Sequence, residues 1–379
     1  MTRALRSARV RNFKAVRDSG VIKPGGLTVF IGDNGSGKSS VLEALRFAAM
    51  LASGGLDHAL EPFGGFEHLR WKGGAQKGRA AAGDDFRAYH PLSLELAGTI
   101  GQVAVRAETT ILERNREEVF FQREILRLGG VEHTRDERGN VTSEGAPLAP
   151  LKPARSLLSE TSWFDGWQHL DLAPAQMGRP ALRRQSSGRV QLAPDGQNVA
   201  EYLLDLRERS LDAFEGLLEA MQVVLPYAVD LQPEVSSTFE RRVAMWMREG
   251  DFRVPGWMFS TGTLRVLCLL ALLRHPAPPT VLCVEEVENG LDPRTVHLVV
   301  DELLRAVEDD RMQVIVTTHS PYLLDLLPLE SIVLVTRAPG EPPEFHRPAE
   351  EATVRAWAKR FAPGRLYTTG NLHRKDGDP

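Results

Sequence analysis

Residues 32–39, inside the stretch IGDNGSGKSS, carry the spacing G-x-x-x-x-G-K-[ST]. A loop of this kind does phosphate chemistry for a physical reason. Its glycines let the backbone curl until successive N–H groups point at phosphate oxygens, its lysine reaches the β and γ phosphates, and its serine hydroxyl ligates Mg2+. On this reading Gly32, Asn34, Gly35, Ser36, Gly37, Lys38, Ser39 and Ser40 form the cradle, with Lys38 as its cation and Ser39 as a metal ligand. The alternative is a flexible surface turn, and the rest of the chain decides between the two.

The stretch VLCVEEVENGLDP supplies a second part. A buried strand that ends in two consecutive carboxylates, Glu285 and Glu286, is costly unless a cation compensates, and metal-bound phosphate is the obvious candidate. Glu285 is then expected in the Mg2+ shell, and Glu286 as the catalytic base that polarises an attacking water. Taken alone, the same residues make an acidic surface turn. A third part is His319 in QVIVTTHSPYLL. It follows the second strand of a βαβ unit whose first strand carries the carboxylates. The carboxyl ends of neighbouring parallel strands converge on one crevice, where a histidine can sense a γ-phosphate. His58, His68, His297 and the other histidines are read as surface or satisfied core residues. The fourth part, FSTGTLRVLCLLALL, opens at Ser260 into a helix apolar nearly all round. Its N-terminus offers a hydroxyl and the free N–H of Gly262, an anion site when other parts accompany it and a plain helix cap when none do.

These residues need elements to hold them. LTVFI before the glycine loop reads as a short buried strand, and SSVLEALRFAAML after it has helical spacing through Val41, Leu42, Leu45 and Ala49. Residues 72–90 are small and polar and read as loop. Residues 92–128 alternate in the manner of antiparallel strands. The turn-rich, charged stretch 131–154 is a plausible boundary, and beyond it Val199, Tyr202, Leu203 and Leu206, then Phe214, Leu217, Leu218 and Met221, fall at helical intervals. Apolar runs at 280–284, 313–317 and 331–335 read as buried strands. The stripe Val296, Val299, Val300, Leu303, Leu304 and Val307 makes the helix between the first two, a βαβ unit.

Composition bounds the rest. A chain of 379 residues with 42% hydrophobic content can bury a sizeable core, and a net charge of −4 announces no global affinity for nucleic acid. The only two cysteines, Cys268 and Cys283, sit in apolar runs and read as small buried hydrophobes in a reducing compartment. The arginine-rich N-terminus lacks the apolar core of a secretory signal. The most apolar run, 264–273, is far short of the roughly 20 residues that span a bilayer. A cytoplasmic protein with no membrane contact is the expectation.

At the four motifs the sequence resembles the RecF and SMC-like ABC-type ATPases, and in particular the short "AAA family" predicted ATPases without a long coiled coil. RNFKAVRD resembles the family's opening strand, GDNGSGKSS its Walker A, FSTGTLR its signature, CVEEVENGLDP its Walker B with the D-loop, and TTHSPYLL its switch histidine; LAPDGQNVAEYL and GRLYTTGNL also resemble recurrent segments. The resemblance implies an α/β P-loop NTPase: an ABC-type ATPase head with a RecA-like lobe, an antiparallel β subdomain and a helical lobe. The implied division is 1–152 for the ATP-binding lobe with its β subdomain, 153–275 for the helical lobe with the signature, 276–346 for the Walker B half of the core, and 347–379 for a C-terminal extension. It implies ATP and Mg2+ as cofactors, with Lys38, Glu286 and His319 catalytic and Ser39 and Glu285 on the metal. It further implies that Ser260 and Gly262 complete the ATP site of a second subunit, with Asp292 at that interface. Thr261 stands where longer relatives have a small glycine and Val287 where proline commonly follows the twin carboxylates. No Q-loop glutamine can be placed, although Gln122 and Gln168 are candidates.

The function expected from this resemblance is an ATP-driven homodimerising switch in DNA metabolism, repair or anti-phage defence, acting with a separate effector such as a nuclease. No nuclease constellation occurs in the chain, and the tail HRKDGDP has two aspartates without a buried strand to present them. Duplex DNA is a further possible partner: Arg3, Arg6, Arg9, Arg11, Lys14, Arg183 and Arg184 can contact backbone phosphates or simply form a solvated face. The rival reading is a scaffold that holds ATP with little turnover. A transporter ATP-binding subunit fits the RNFK opening and the short STGTLR signature less well.

Overall fold

The computed structural model describes residues 3–72, 90–114, 118–184, 190–236 and 241–373. Most of the expected loop at 72–90, the end of the tail and the side chain of Arg3 lie outside the described residues.

The centre is a six-stranded sheet in the order Trp167–Leu170, Val281–Val284, Gln313–Thr318, Leu27–Ile31, Ile332–Thr336, Glu344–His346. The first five strands are parallel, and the last closes the edge antiparallel. The strands expected at 27–31, 280–284, 313–317 and 331–335 are all here. They read as continuous apolar runs because both faces of the sheet are covered. Alternate side chains divide between two cores. Leu27, Val29, Ile31, Leu282, Val284, Val314 and Val316 join the helices Thr261–Leu273 and Pro293–Glu308 on one face. Phe30, Val281, Cys283, Ile315, Val333 and Val335 join the long helix Lys38–Leu60 on the other. Cys268 and Cys283 are buried free thiols, and burial raises the pKa of both.

An eight-stranded antiparallel sheet covers the second core, ordered Val16–Asp18, Arg3–Phe13, Leu92–Ile100, Val103–Arg114, Glu118–Leu128, Val131–Asp136, Val141–Ser143, Ala146–Pro147. The stretch at 131–154, expected to be a boundary, instead continues this sheet to its edge. Short strands separated by tight turns have the turn-rich composition that suggests a linker.

Segment 153–275 carries the expected helices Val199–Arg209, Leu211–Val224 and Thr261–Leu273, but it is not helix throughout. It also contributes Trp167–Leu170 to the central sheet, and it forms a small four-stranded sheet of Ala181–Leu182, Arg242–Glu249, Ala228–Val235 and Phe252–Pro255. Among the described residues no helix is long and apolar enough to cross a membrane.

Candidate functional site

The loop after Leu27–Ile31 is shaped by its glycines. Gly35 and Gly37 have φ of 74° and 104°, the left-handed region that side chains disfavour. At Gly32 the constraint is space, since a Cβ there would stand 2.1 Å from the Val335 carbonyl oxygen. Gly37 opens the helix Lys38–Leu60 with no side-chain cap, so the first N–H groups of the helix lack the partner that a serine or aspartate cap would supply. Ser36, Lys38 and Ser40 are buried, Ser39 is half-buried, and Asp33, Asn34 and Gly35 form the exposed crest. Lys38 Nζ folds back onto the loop, donating to the carbonyls of Gly32 at 2.7 Å and Asp33 at 2.8 Å. Burial pushes its pKa down to about 8, against the opposing charges of Asp33, Glu286 and Glu288.

The twin carboxylates follow Val281–Val284. Glu285 has its pKa raised, first by burial and then by the charges of Glu43 and Asp171, while the Ser39 side chain and the Lys14 charge pull the other way. The two expected metal ligands influence each other, and a carboxylate whose ionisation is opposed by burial and by other carboxylates is a fitting neighbour for a divalent cation. Glu286 is half-exposed, with φ at 45°. That conformation costs a non-glycine residue about 1–3 kcal/mol and marks a site where the surroundings enforce it. Its N–H donates to Thr317 Oγ1 at 2.9 Å, its carboxylate accepts from Asn289 Nδ2 at 3.2 Å, and His319 Nε2 lies 3.9 Å away. Glu288 holds the histidine turn from beneath, accepting from Thr318 Oγ1 at 2.7 Å and His319 N at 2.8 Å.

Of the two expected residues at the start of the helix Thr261–Leu273, Ser260 is exposed and Gly262 half-buried. Ser260 and Thr261 are exposed, and Ser260 Oγ caps the helix by accepting from Thr263 N at 3.0 Å. Gly262 is needed for close approach, because a Cβ there would stand 2.7 Å from the Gly290 carbonyl oxygen. Asp292 caps Pro293–Glu308, accepting from Arg294 N at 3.0 Å and Thr295 N at 3.2 Å. Its hydrogen bond with Thr295 holds its pKa below the usual carboxylate range. The buried Val287 donates its N–H to the Thr317 carbonyl at 3.3 Å.

A family model described as "AAA domain, putative AbiEii toxin, Type IV TA system" matches residues 27–325. The chain belongs to this AAA domain family. Its solved neighbours include the SMC head domain from Thermotoga maritima, at 15% identity over 90% of this chain and 98% of that one, with a TM-score of 0.45. An SmcHead bound to the C-winged helix domain of ScpA aligns at 12% identity over 90% and 96%, TM-score 0.49. The Smc head domain with an extended coiled coil, bound to the C-terminal domain of ScpA derived from Pyrococcus furiosus, aligns at 11% over 90% and 95%, TM-score 0.48. At these identities and scores the likenesses assign no role to any residue. No curated protein matches the chain.

Several residues of this AAA domain chain enter the site without a motif to announce them. Asp171 stands at the carboxyl end of Trp167–Leu170, where it raises the Glu285 pKa and acts on Arg265. Arg265 extends from the Ser260 helix to the carbonyl of Leu172 at 3.0 Å and lies in the field of Asp171, Glu286 and Glu288. Neither glutamine considered for the Q-loop comes into contact with these groups. Gln122 is exposed on the antiparallel sheet, and Gln168 donates to the Leu192 carbonyl at 2.9 Å. The N-terminal cations are mostly neutralised within the chain: Arg9 pairs with Asp18 at 2.7 Å, Arg11 with Glu95 at 2.9 Å, and Lys14 with Glu43. Arg183 pairs with Glu208 at 3.2 Å. A solvated, internally paired face describes these residues better than a free stripe for phosphates.

Proposed function

We propose that this chain binds and hydrolyses ATP, and that two copies close head to head on the nucleotide. The observation that carries the reading is the convergence of distant segments on one site: Lys38 on the phosphate loop lies in the field of Glu286 and Glu288, and His319 Nε2 stands 3.9 Å from Glu286. The uncapped N–H groups of the Lys38–Leu60 helix and the Lys38 ammonium take the charge of the β and γ phosphates. Ser39 and Glu285 would hold Mg2+, which supplies neutralisation of charge on the phosphate oxygens. Glu286 accepts the proton of the attacking water, and His319 beside it contacts the γ-phosphate.

The exposed Ser260 and the half-buried Gly262 of a second copy cover the open side of that phosphate, with Asp292 at the same interface. Trp257 and Met258, 53% and 68% exposed just before Ser260, give the contact an apolar margin. Hydrolysis removes the shared phosphate and the heads part, because ATP stabilises only the closed pair. The switch acts in DNA metabolism, repair or defence against phage, through a partner effector. The toxin–antitoxin wording of the family description favours defence. Size-exclusion measurements on Glu286→Gln test the reading: ATP should raise its dimer fraction above that of the nucleotide-free protein, and no rise contradicts head-to-head closure.

A further inference from the structure

We propose that a cavity beside the strand pair Ala181–Leu182 and Arg242–Glu249 binds a small molecule carrying two or more phosphate groups. No residue of its lining belongs to the four motifs, so the proposal stands independently of the ATP reading. The cavity measures about 560 Å3, within the usual range of small-molecule pockets and more than one orthophosphate fills.

Charge is the first argument. Arg179, Arg184 and Arg242 line the cavity, and Glu201 is the only acidic residue among the described lining. Glu201 is 4% exposed, and its Oε1 accepts from Arg184 N at 2.6 Å, which fixes the backbone of that arginine at the cavity. Among the described residues none of the three guanidiniums is paired with a carboxylate, whereas the adjacent Arg183 is paired with Glu208 at 3.2 Å. Like charges gathered on one concave wall repel unless an anion compensates them, and the guanidinium fork matches the oxygens of a phosphate.

The second argument is that the cavity is built. Strand pairing sets Leu182 opposite Arg242, and Arg183 N donates to the Arg241 carbonyl at 2.8 Å, so Arg184 and Arg242 come from neighbouring chains. Arg179 follows the short helix Pro174–Met177. A further wall comes from LAPDGQNVAEYL, residues 192–203, a segment with no part in the four motifs. Within it Asn198, 7% exposed, closes the turn: Oδ1 accepts from Ala193 N at 2.7 Å, and Nδ2 donates to the Gln191 carbonyl at 2.9 Å. Gly196 has φ of 75°, and a Cβ there would stand 2.9 Å from Met177 Cγ. Asp171 N donates to the Pro194 carbonyl at 2.9 Å and Ala173 N to the Asp195 carbonyl at 3.0 Å, which anchors this wall to the chain leaving the central sheet. The side chains are thus presented from a preformed frame, which lowers the ordering cost of binding. The amides of the exposed Gln176 and Gln197 complete the lining, as donors and acceptors for hydroxyls of the ligand body.

Calorimetric titration of inositol hexakisphosphate into the full chain, without divalent cation, tests the site. Wild type and Lys38→Ala should each bind one equivalent, with affinities within about twofold, because the phosphate loop takes no part. Arg184 and Arg242 are exposed, so Arg184→Ala and Arg242→Ala should retain the thermal midpoint, and each should weaken binding about tenfold or more. Arg183→Ala removes the same charge from the arginine that faces Glu208 and should weaken binding less than about twofold. No saturable binding, or its loss in Lys38→Ala, overturns the site. Equal weakening by all three arginine variants also overturns it, as the mark of general attraction to a positive surface. A short DNA duplex titrated in parallel identifies the other occupant: if Arg184→Ala and Arg242→Ala weaken the duplex while inositol hexakisphosphate does not saturate, the cavity is part of a nucleic-acid face and the small-molecule site is overturned.

Discussion

At the scale of single residues, the site is a set of charges held under tension. Lys38 is buried beside loop carbonyls, with its pKa pushed down to about 8 by that burial. A bound polyphosphate favours the charged lysine, so the sign of the pH dependence follows from linkage. Below about pH 8 the proton is already present, and affinity should be flat. Above it a proton must be taken up with the ligand, and affinity should fall about tenfold per pH unit. Tripolyphosphate titration without divalent cation, from about pH 6.5 to 9.5, checks this; a level profile to the upper end contradicts a buried lysine as the phosphate's counter-charge. The residue types of the loop, the twin carboxylates and His319 were legible because each motif has a fixed spacing and a chemical purpose. Asp171 and Arg265 were not, since a lone aspartate after a short strand and an arginine in a helix have no spacing to betray them. Only the fold brings both beside Glu285 and Glu286.

At the scale of elements, caps and close approaches decide which ends face the site. Asp292 caps Pro293–Glu308 through two backbone bonds and Thr295 Oγ1. Asp292→Ala should lower stability by about 1 kcal/mol, read by urea unfolding, and no loss would mean that the cap is idle. At the start of Thr261–Leu273 the demand is different. Gly262→Val places atoms against the Gly290 carbonyl and should abolish ATP-dependent dimerisation while ATP binding by the monomer persists. A variant that still dimerises on ATP would separate this turn from the interface. The buried strands were readable as unbroken apolar runs, and the long helices by their stripes. Trp167–Leu170 escaped because it is a four-residue edge strand containing Gln168 and His169, too short and too polar for either pattern. The strands at 131–147 escaped because turn residues outnumber their apolar positions.

At the scale of the whole molecule, the two sheets must keep a fixed relation for the loop and carboxylates to meet. Gln313, 3% exposed, joins them: its Oε1 accepts from Leu5 N at 2.8 Å, and its Nε2 donates to the carbonyls of Leu5 at 2.9 Å and Gly25 at 2.8 Å. Gln313→Leu leaves the buried N–H and C=O of Leu5 without this partner and should cost about 2 kcal/mol in urea unfolding, whereas a loss under about 0.5 kcal/mol would show that the sheets are joined by packing alone. The α/β plan with a separate antiparallel sheet was legible, since the order of strand, loop and helix signals constrains the topology. The attachment of the C-terminal segment to the phosphate loop through Tyr367 and Asp33 was not, because it joins residues 334 positions apart by one hydrogen bond. Hydrolysis by this chain requires these distant segments to form one pocket. Steady-state phosphate release from ATP with Mg2+ measures that most directly: wild type should turn over, and Lys38→Ala and Glu286→Gln should each be slower by about 100-fold or more. A wild type no faster than Lys38→Ala would contradict it.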